Sequence, residues 1–250
     1  MKKINLESLN LEKLKKKLGI ISICTLLGLC SFVFQIADND KEKMQGMLQK
    51  VNGVPIEGKT IILDAGHGKP DGGAVSKNGI IEANINLQIA QKVKNLLKQD
   101  NIKVIMTRSD ENGIYDESAK TISQKKVSDI KNRVKIGNNS QADIFVSIHL
   151  NKIEQEKYWG WQCFFKGNDE KSKKLSNSIQ RGLNKTIQKE NTRVPMKISK
   201  VYLVDHVNIP ITVVECGFLS NNEEEKLLQD EDYQENLAWG IYQGIKEYFE

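Results

Sequence analysis

Histidine is scarce in this chain: three residues in 250. No HExxH stretch occurs, which excludes the short helical zinc motif. Proline is almost as scarce, at four residues, while hydrophobic residues make up 39%. That balance excludes a disordered chain and indicates a globular core. There is no internal repeat and no low-complexity segment. The four cysteines form no disulfide framework. Cys24 and Cys30 lie inside an apolar segment, and Cys163 and Cys216 lie in or beside expected strands, where free buried thiols are common. Charge of one sign is also missing where it would matter. The formal net charge is +5, but residues 1–37 hold six lysines against two acids, leaving 31 basic and 30 acidic residues for the remainder. The composition therefore gives no support for a nucleic-acid groove in the main domain, and a nucleic-acid partner is not expected.

One long hydrophobic run is present, Gly19 to Ala37, 19 uncharged residues behind Lys13, Lys15, Lys16 and Lys17. At about 1.5 Å per residue it suffices to cross a hydrocarbon layer of ~30 Å. Lysines in front hold that end in the cytoplasm and put the main domain outside. Residues 1–37 thus read as an uncleaved signal anchor. A cleaved signal peptide is the rival, with a poor cleavage site at Gln35-Ile36-Ala37. Neither Cys24 nor Cys30 follows the small residue a lipoprotein signal requires. Residues 38–58 are polar, carry Asn52-Gly53 and Gly58, and read as a linker. Residues 59–250 form the main domain.

From Thr60 on, strand and helix patterns alternate. Strands are expected at Ile61–Leu63, Ile102–Met106, Ile144–Ile148, Trp159–Phe165, Val201–Val204 and Ile211–Val214. Helices are expected at Glu82–Gln99, Ser123–Asn139, Asp169–Gln188, from Asn221, and at Tyr233–Phe249. Such alternation predicts an α/β fold, a mainly parallel twisted sheet with helices on both faces. Sites in these sheets lie at the carboxyl ends of strands.

That is where the notable residues fall. The first strand runs into Asp64-Ala-Gly-His67-Gly, with a glycine on each side of the histidine to let the backbone turn. Glu82 opens a helix fifteen residues on. His149 and Glu215 each follow an apolar strand. Two imidazoles and a carboxylate suit zinc with a fourth position left for water, and a further carboxylate suits a general base. Each histidine alone would be a structural or surface residue; it is the set that argues for metal. A buried carboxylate after Ile211-Thr-Val-Val needs a charge partner or a function. Its structural alternative is a salt-bridged acid. Cys216, one residue on, should point to the opposite face and belong to the core. Asp64 is expected to orient a ligating histidine. Arg108, Arg133 and Asn138 either orient loops, bind a substrate carboxylate or make helix and strand-end salt bridges. His206, in an expected loop, reads as a surface histidine. GHGKPDGG lacks the ending of a phosphate loop.

Taken together, ILDAGHG, PDGGA, Glu82 to Leu87, Val104 to Arg108, Arg133 to Asn138, AD-x-F-V-S-I-H-x-N from Ala142, GWQ at Gly160 and IP-x-x-V-V-E-C-GFLSN from Ile209 resemble the zinc-dependent N-acetylmuramoyl-L-alanine amidases of the amidase 3 family. The likeness is strongest to the germination-specific members from spore-forming bacteria. It spans Thr60 to the C-terminus. It implies a phosphorylase/hydrolase-like fold, zinc on His67, Glu82 and His149, and Glu215 as the catalytic carboxylate. It also implies a peptidoglycan substrate, action outside the cytoplasm at the forespore or spore envelope, and room for an activating protein. The chain departs from many relatives in having Asp205 where they have arginine. It also has only Lys152 to Trp159 where division amidases insert a regulatory helix, so the site should not be self-occluded. A zinc peptidase or deacetylase on another cell-wall amide and a non-catalytic peptidoglycan-binding protein are the alternatives.

Overall fold

The computed structural model describes residues 58–250. The expected anchor at 1–37 and nearly all of the linker lie outside the described residues. Among the described residues, no helix is long and apolar enough to cross a membrane.

Six strands form one sheet: β1 (Thr60–Ala65), β2 (Lys103–Met106), β3 (Ile144–Asn151), β4 (Gln162–Lys166), β5 (Met196–Ile198) and β6 (Ile211–Phe218), in the order β2-β1-β3-β6-β4-β5. The first four in that order are parallel. β4 runs antiparallel to β6, and β5 is parallel to β4. The three apolar runs of the sequence, β1, β3 and β6, are interior strands, which is why they lack polar alternation. Helices α1 (Glu82–Gln99), α2 (Ile122–Asn139), α3 (Glu170–Thr186), α4 (Tyr202–His206), α5 (Asn222–Gln229) and α6 (Glu231–Phe249) complete the fold.

The pleat sends alternate residues to opposite faces, and the two faces are unequal. Ile61, Leu63 and Ala65 of β1, Ile144, Val146, Ile148 and Leu150 of β3, and Val214 and Cys216 of β6 join the larger core layer under α1, α3 and α6. Cys163 and Cys216 are buried and free, as expected. Ile62, Phe145, Ile211 and Val213 face the smaller layer, covered by Val134 of α2 and by Leu203, Val204 and Val207 in and after α4. Along this second face the next residues toward the strand ends are Asp64, Ser147, His149 and Glu215. Apolar cover ends there and polar groups begin.

Helix starts follow their caps. Thr121 and Gln124 form a capping box on α2, while Asp169, Asn221 and Asp230 accept backbone N–H groups at α3, α5 and α6. Two elements differ from the sequence reading. Val201–Val204 is not a strand: residues 202–206 form one helical turn that lays Leu203 and Val204 on the sheet. β5 is a three-residue edge strand that the sequence did not announce. The strands bearing His149 and Glu215 also run on past those residues, to Asn151 and Phe218.

Candidate active site

β1 gives way to the loop at Gly66, whose N–H donates to the Ile148 carbonyl at 3.0 Å. A Cβ on Gly66 would stand 2.3 Å from the His149 ring, so only glycine lets that ring lie against the strand end. The left-handed backbone of the turn falls on His67 itself, at φ 61°, and not on the glycines alone. Two buried arginines hold it there. Arg108 donates to the carbonyls of Ala65 (2.8 Å), Gly66 (3.0 Å) and Ala83 (2.7 Å). Arg133 donates to those of Ala65 (2.8 Å) and His67 (2.5 Å). Of the roles open to these arginines, the structure shows loop orientation for both, and for Arg133 also salt bridges to Asp64 and Asp129. Asn138 does the same further off, bracketing Asn208 N and the His206 carbonyl.

Asp64 does not meet a histidine, contrary to expectation. Its carboxylate accepts from Thr107 at 2.7 Å and Ser147 at 2.6 Å and pairs with Arg133. Burial opposes its charge, but Arg133 and the two hydroxyls outweigh this and hold its pKa below the ordinary value. The carboxylate that orients a histidine is Asp71 of the PDGGA stretch: His67 Nδ1 lies 3.1 Å from Asp71 Oδ2. Lys126 of α2 in turn holds Asp71 Oδ1 at 2.8 Å. The sequence placed Asp71 in a motif without revealing this role.

His67, Glu82 and His149 come together as expected, one ligand atom of each lying within 4.8 Å of the others. Glu82 Oε1 is 3.3 Å from His67 Nε2 and 3.0 Å from His149 Nδ1. Donor atoms around a tetrahedral ion at about 2.0–2.1 Å would be separated by roughly 3.3 Å, so the set fits a small divalent cation. Glu82 is built into place from several sides. Its Oε2 accepts from Ala74 N at 2.8 Å, its Oε1 from Leu150 N at 3.1 Å and Asn86 Nδ2 at 3.2 Å. It opens α1, a helix with no side-chain cap, where the helix dipole favours a carboxylate. Gly73 is required beside it, since a Cβ there would lie 2.5 Å from Glu82 Oε2 and 2.6 Å from the His67 ring. Burial works against the charged Glu82, yet hydrogen bonds from His149 and His67 hold its pKa far below the ordinary range. Burial likewise opposes a charged His67, and Asp71 and Glu82 override it, raising the ring to about 9 in the absence of an ion.

Glu215 is the register partner of His149 across β3 and β6, so the two side chains stand side by side on one face. Its Oε2 is enclosed and has no hydrogen-bond partner. Burial pushes its pKa up to about 7, helped by the charge of Glu82 and opposed by the histidines. A carboxylate so poised can take and return a proton near neutral pH. His206 belongs to α4, not to a loop. It is exposed and stacked on Tyr202 at 3.9 Å, with no part in this cluster.

A chain with this fold and this site matches one family model, N-acetylmuramoyl-L-alanine amidase (Amidase_3), over residues 61–247. The chain belongs to that family and is an N-acetylmuramoyl-L-alanine amidase. It is 37% identical to the germination-specific N-acetylmuramoyl-L-alanine amidase of Bacillus subtilis over 240 residues, covering 94% of this chain and 97% of that one. The structure of the CwlD amidase from Clostridioides difficile in complex with the GerS lipoprotein is 47% identical, with a TM-score of 0.75 over 76% of this chain and 98% of that one. The catalytic domain of CwlV from Bacillus (Paenibacillus) polymyxa is 31% identical, with a TM-score of 0.66 over 76% and 98%.

Proposed function

We propose that residues 59–250 form a zinc-dependent catalytic domain, with His67, Glu82 and His149 as the metal ligands and Glu215 as the general base and acid. The observation that carries this is the convergence of three donor atoms beside a half-buried carboxylate whose enclosed oxygen has no partner. Zinc, when bound, would supply Lewis acidity toward a carbonyl oxygen and lower the pKa of water toward neutrality. Glu215 takes the proton from the attacking water and delivers it to the nitrogen of the leaving L-alanine. The bond broken is the amide between the lactyl group of muramic acid and the peptide stem. Arg108 and Arg133 fix the loop that carries His67, and Asp71 fixes its ring. These groups keep the donors in one geometry through the reaction.

The setting follows from the relatives. Likeness to germination-specific amidases supports a role in removing stems from spore-cortex peptidoglycan, on the path to the muramic δ-lactam. The relative whose structure is a complex with a lipoprotein supports an accessory protein for this chain too. The apolar run at 19–37 supports an extracytoplasmic domain tethered to, or secreted across, the membrane. The test is mass spectrometry of peptidoglycan digested by the full-length, zinc-supplied protein, with Glu215→Gln as control. Intact stem peptides beginning at L-alanine, absent from the control, are the expected products. Cleavage within the stem, or released acetate, would assign the peptidase or deacetylase alternative. An inert, zinc-loaded wild type would point to a missing accessory protein or to a binding role.

A further inference from the structure

A second chemical centre lies along the rim of the sheet beyond Glu215. A cavity of about 560 Å³ opens between residues 157–159 and 189–193. Three cations face it, each set against an aromatic ring. Lys189 stands 4.0 Å from the centroid of Trp159, Lys157 stands 5.3 Å from Tyr158, and Arg193 bridges Phe218 at 4.9 Å and Tyr158 at 5.8 Å. Glu190 is the one acidic residue in the lining. Among the described residues, none of the three cations is in a salt bridge. Buried Glu224 lies close by, but its two oxygens are taken by the N–H groups of Gly160 and Phe218, both at 2.8 Å. Arg193 Nε donates to the Trp159 carbonyl at 3.4 Å, and Lys189 and Arg193 both feel the charge of Glu224, yet among the described residues no carboxylate is bonded to any of the three cations and they outnumber the acids.

We propose that this cavity is the subsite for a carboxylate of the peptide stem, on the leaving-group side of the scissile amide. The inference rests on the amidase reading above. Glu215 is paired in register with Gln162 of β4, and Gln162 Nε2 donates to the Val194 carbonyl at 2.9 Å. Val194 adjoins Arg193. The path from the base to the guanidinium thus crosses one strand spacing of about 4.8 Å, follows the Gln162 side chain and its hydrogen bond to Val194, and ends on the side chain of the adjoining Arg193. An extended peptide advances about 3.3 Å per residue, so the second or third stem residue reaches the cavity while the first lies at the base. Stem residues carry free carboxylates, and lysine and arginine heads match them. Sugar stacking fits less well, because the Trp159 face is already covered by Lys189.

The test compares two synthetic muropeptides that differ only in whether the stem carboxylates are free or amidated. Steady-state kinetics are measured with zinc-loaded full-length wild type, Lys189→Gln and Arg193→Gln. Zinc content and melting temperature confirm that each variant folds. On the free-carboxylate substrate the variants should raise KM about tenfold, equivalent to the loss of one charge-assisted contact, with little change in kcat. The amidated substrate should show a raised KM with wild type and no further response to either substitution. Unchanged KM, or equal loss on both substrates, would overturn the subsite. A wild type inert on both substrates would count against the proposed chemistry instead. The cavity is then judged on binding: quenching of tryptophan emission by the free stem dipeptide, lost in Lys189→Gln, supports it, and no wild-type quenching refutes it.

Discussion

Asp64 and Glu215 sit on the two strands that flank β3, on the same face of the sheet, near the same strand ends. Asp64 is fully buried, Glu215 is half-buried with its Oε2 enclosed, and the two behave in opposite ways. Asp64 has Arg133, Thr107 and Ser147 around it, and its pKa falls. Glu215 has one oxygen with no partner at all, and its pKa climbs to about 7. Desolvation acts on both, so desolvation alone does not separate the paired carboxylate from the proposed general base. The number of donors aimed at each does.

The contrast can be broken most sharply at Glu215. Glu215→Gln should lower kcat by about 10²–10⁴, the usual worth of a positioned acid–base group, with the zinc stoichiometry of wild type. Equal loss of zinc would make Glu215 a ligand and erase the distinction. The converse experiment is Asp64→Asn, which leaves buried Arg133 with Asp129 as its remaining acidic partner. Its expected effect is about 3–5 kcal/mol of stability, read from the urea midpoint. A stable but inactive Asp64→Asn would show that both carboxylates serve the chemistry directly.

A third measurement sharpens the comparison by pH. A carboxylate raised in the folded state favours that state while protonated and burdens it once ionised. As pH rises from 4.5 toward about 7 and beyond, the metal-free wild type should lose up to about 3 kcal/mol at Glu215. Metal-free Glu215→Gln should lack that loss and melt higher than wild type at pH 8. Asp64 works in the other direction: its stabilisation is present above its unfolded pKa and disappears as pH falls through its folded value. The smallest effect is expected beside the proposed metal ligands. Asp71→Asn should weaken zinc affinity about 10–100-fold in competition with a chelator, because His67 loses the carboxylate that orients it.

Much of the molecule was legible in its sequence, for definite reasons. β1, β3 and β6 are interior strands, so unbroken apolar runs betrayed them. α1 showed through the helical spacing of Leu87, Ala90, Val93 and Leu97. The cluster of His67, Glu82, His149 and Glu215 was legible because strand ends are where such sheets gather their sites. Val201 to Val204 was misread because Val-Tyr-Leu-Val has strand composition, whereas packing on Phe145 and Ile211 demands only one helical turn. β5 was missed because three residues, Met-Lys-Ile, make no pattern. The partner of Asp64 could not be read because Arg133 reaches it from α2, far along the chain. Sequence spacing carries no record of which side chain crosses a loop to meet which.

The placement of the donors also sets an order of birth. His67 and Glu82 emerge early, but neither has its third companion until β3 has been made and has paired with β1. The carboxylate beside them comes only with β6, after β4 and β5. On the proposed roles, a nascent or truncated chain passes through a stage that has the three donors but not Glu215, and the full set exists only once the last interior strand is seated.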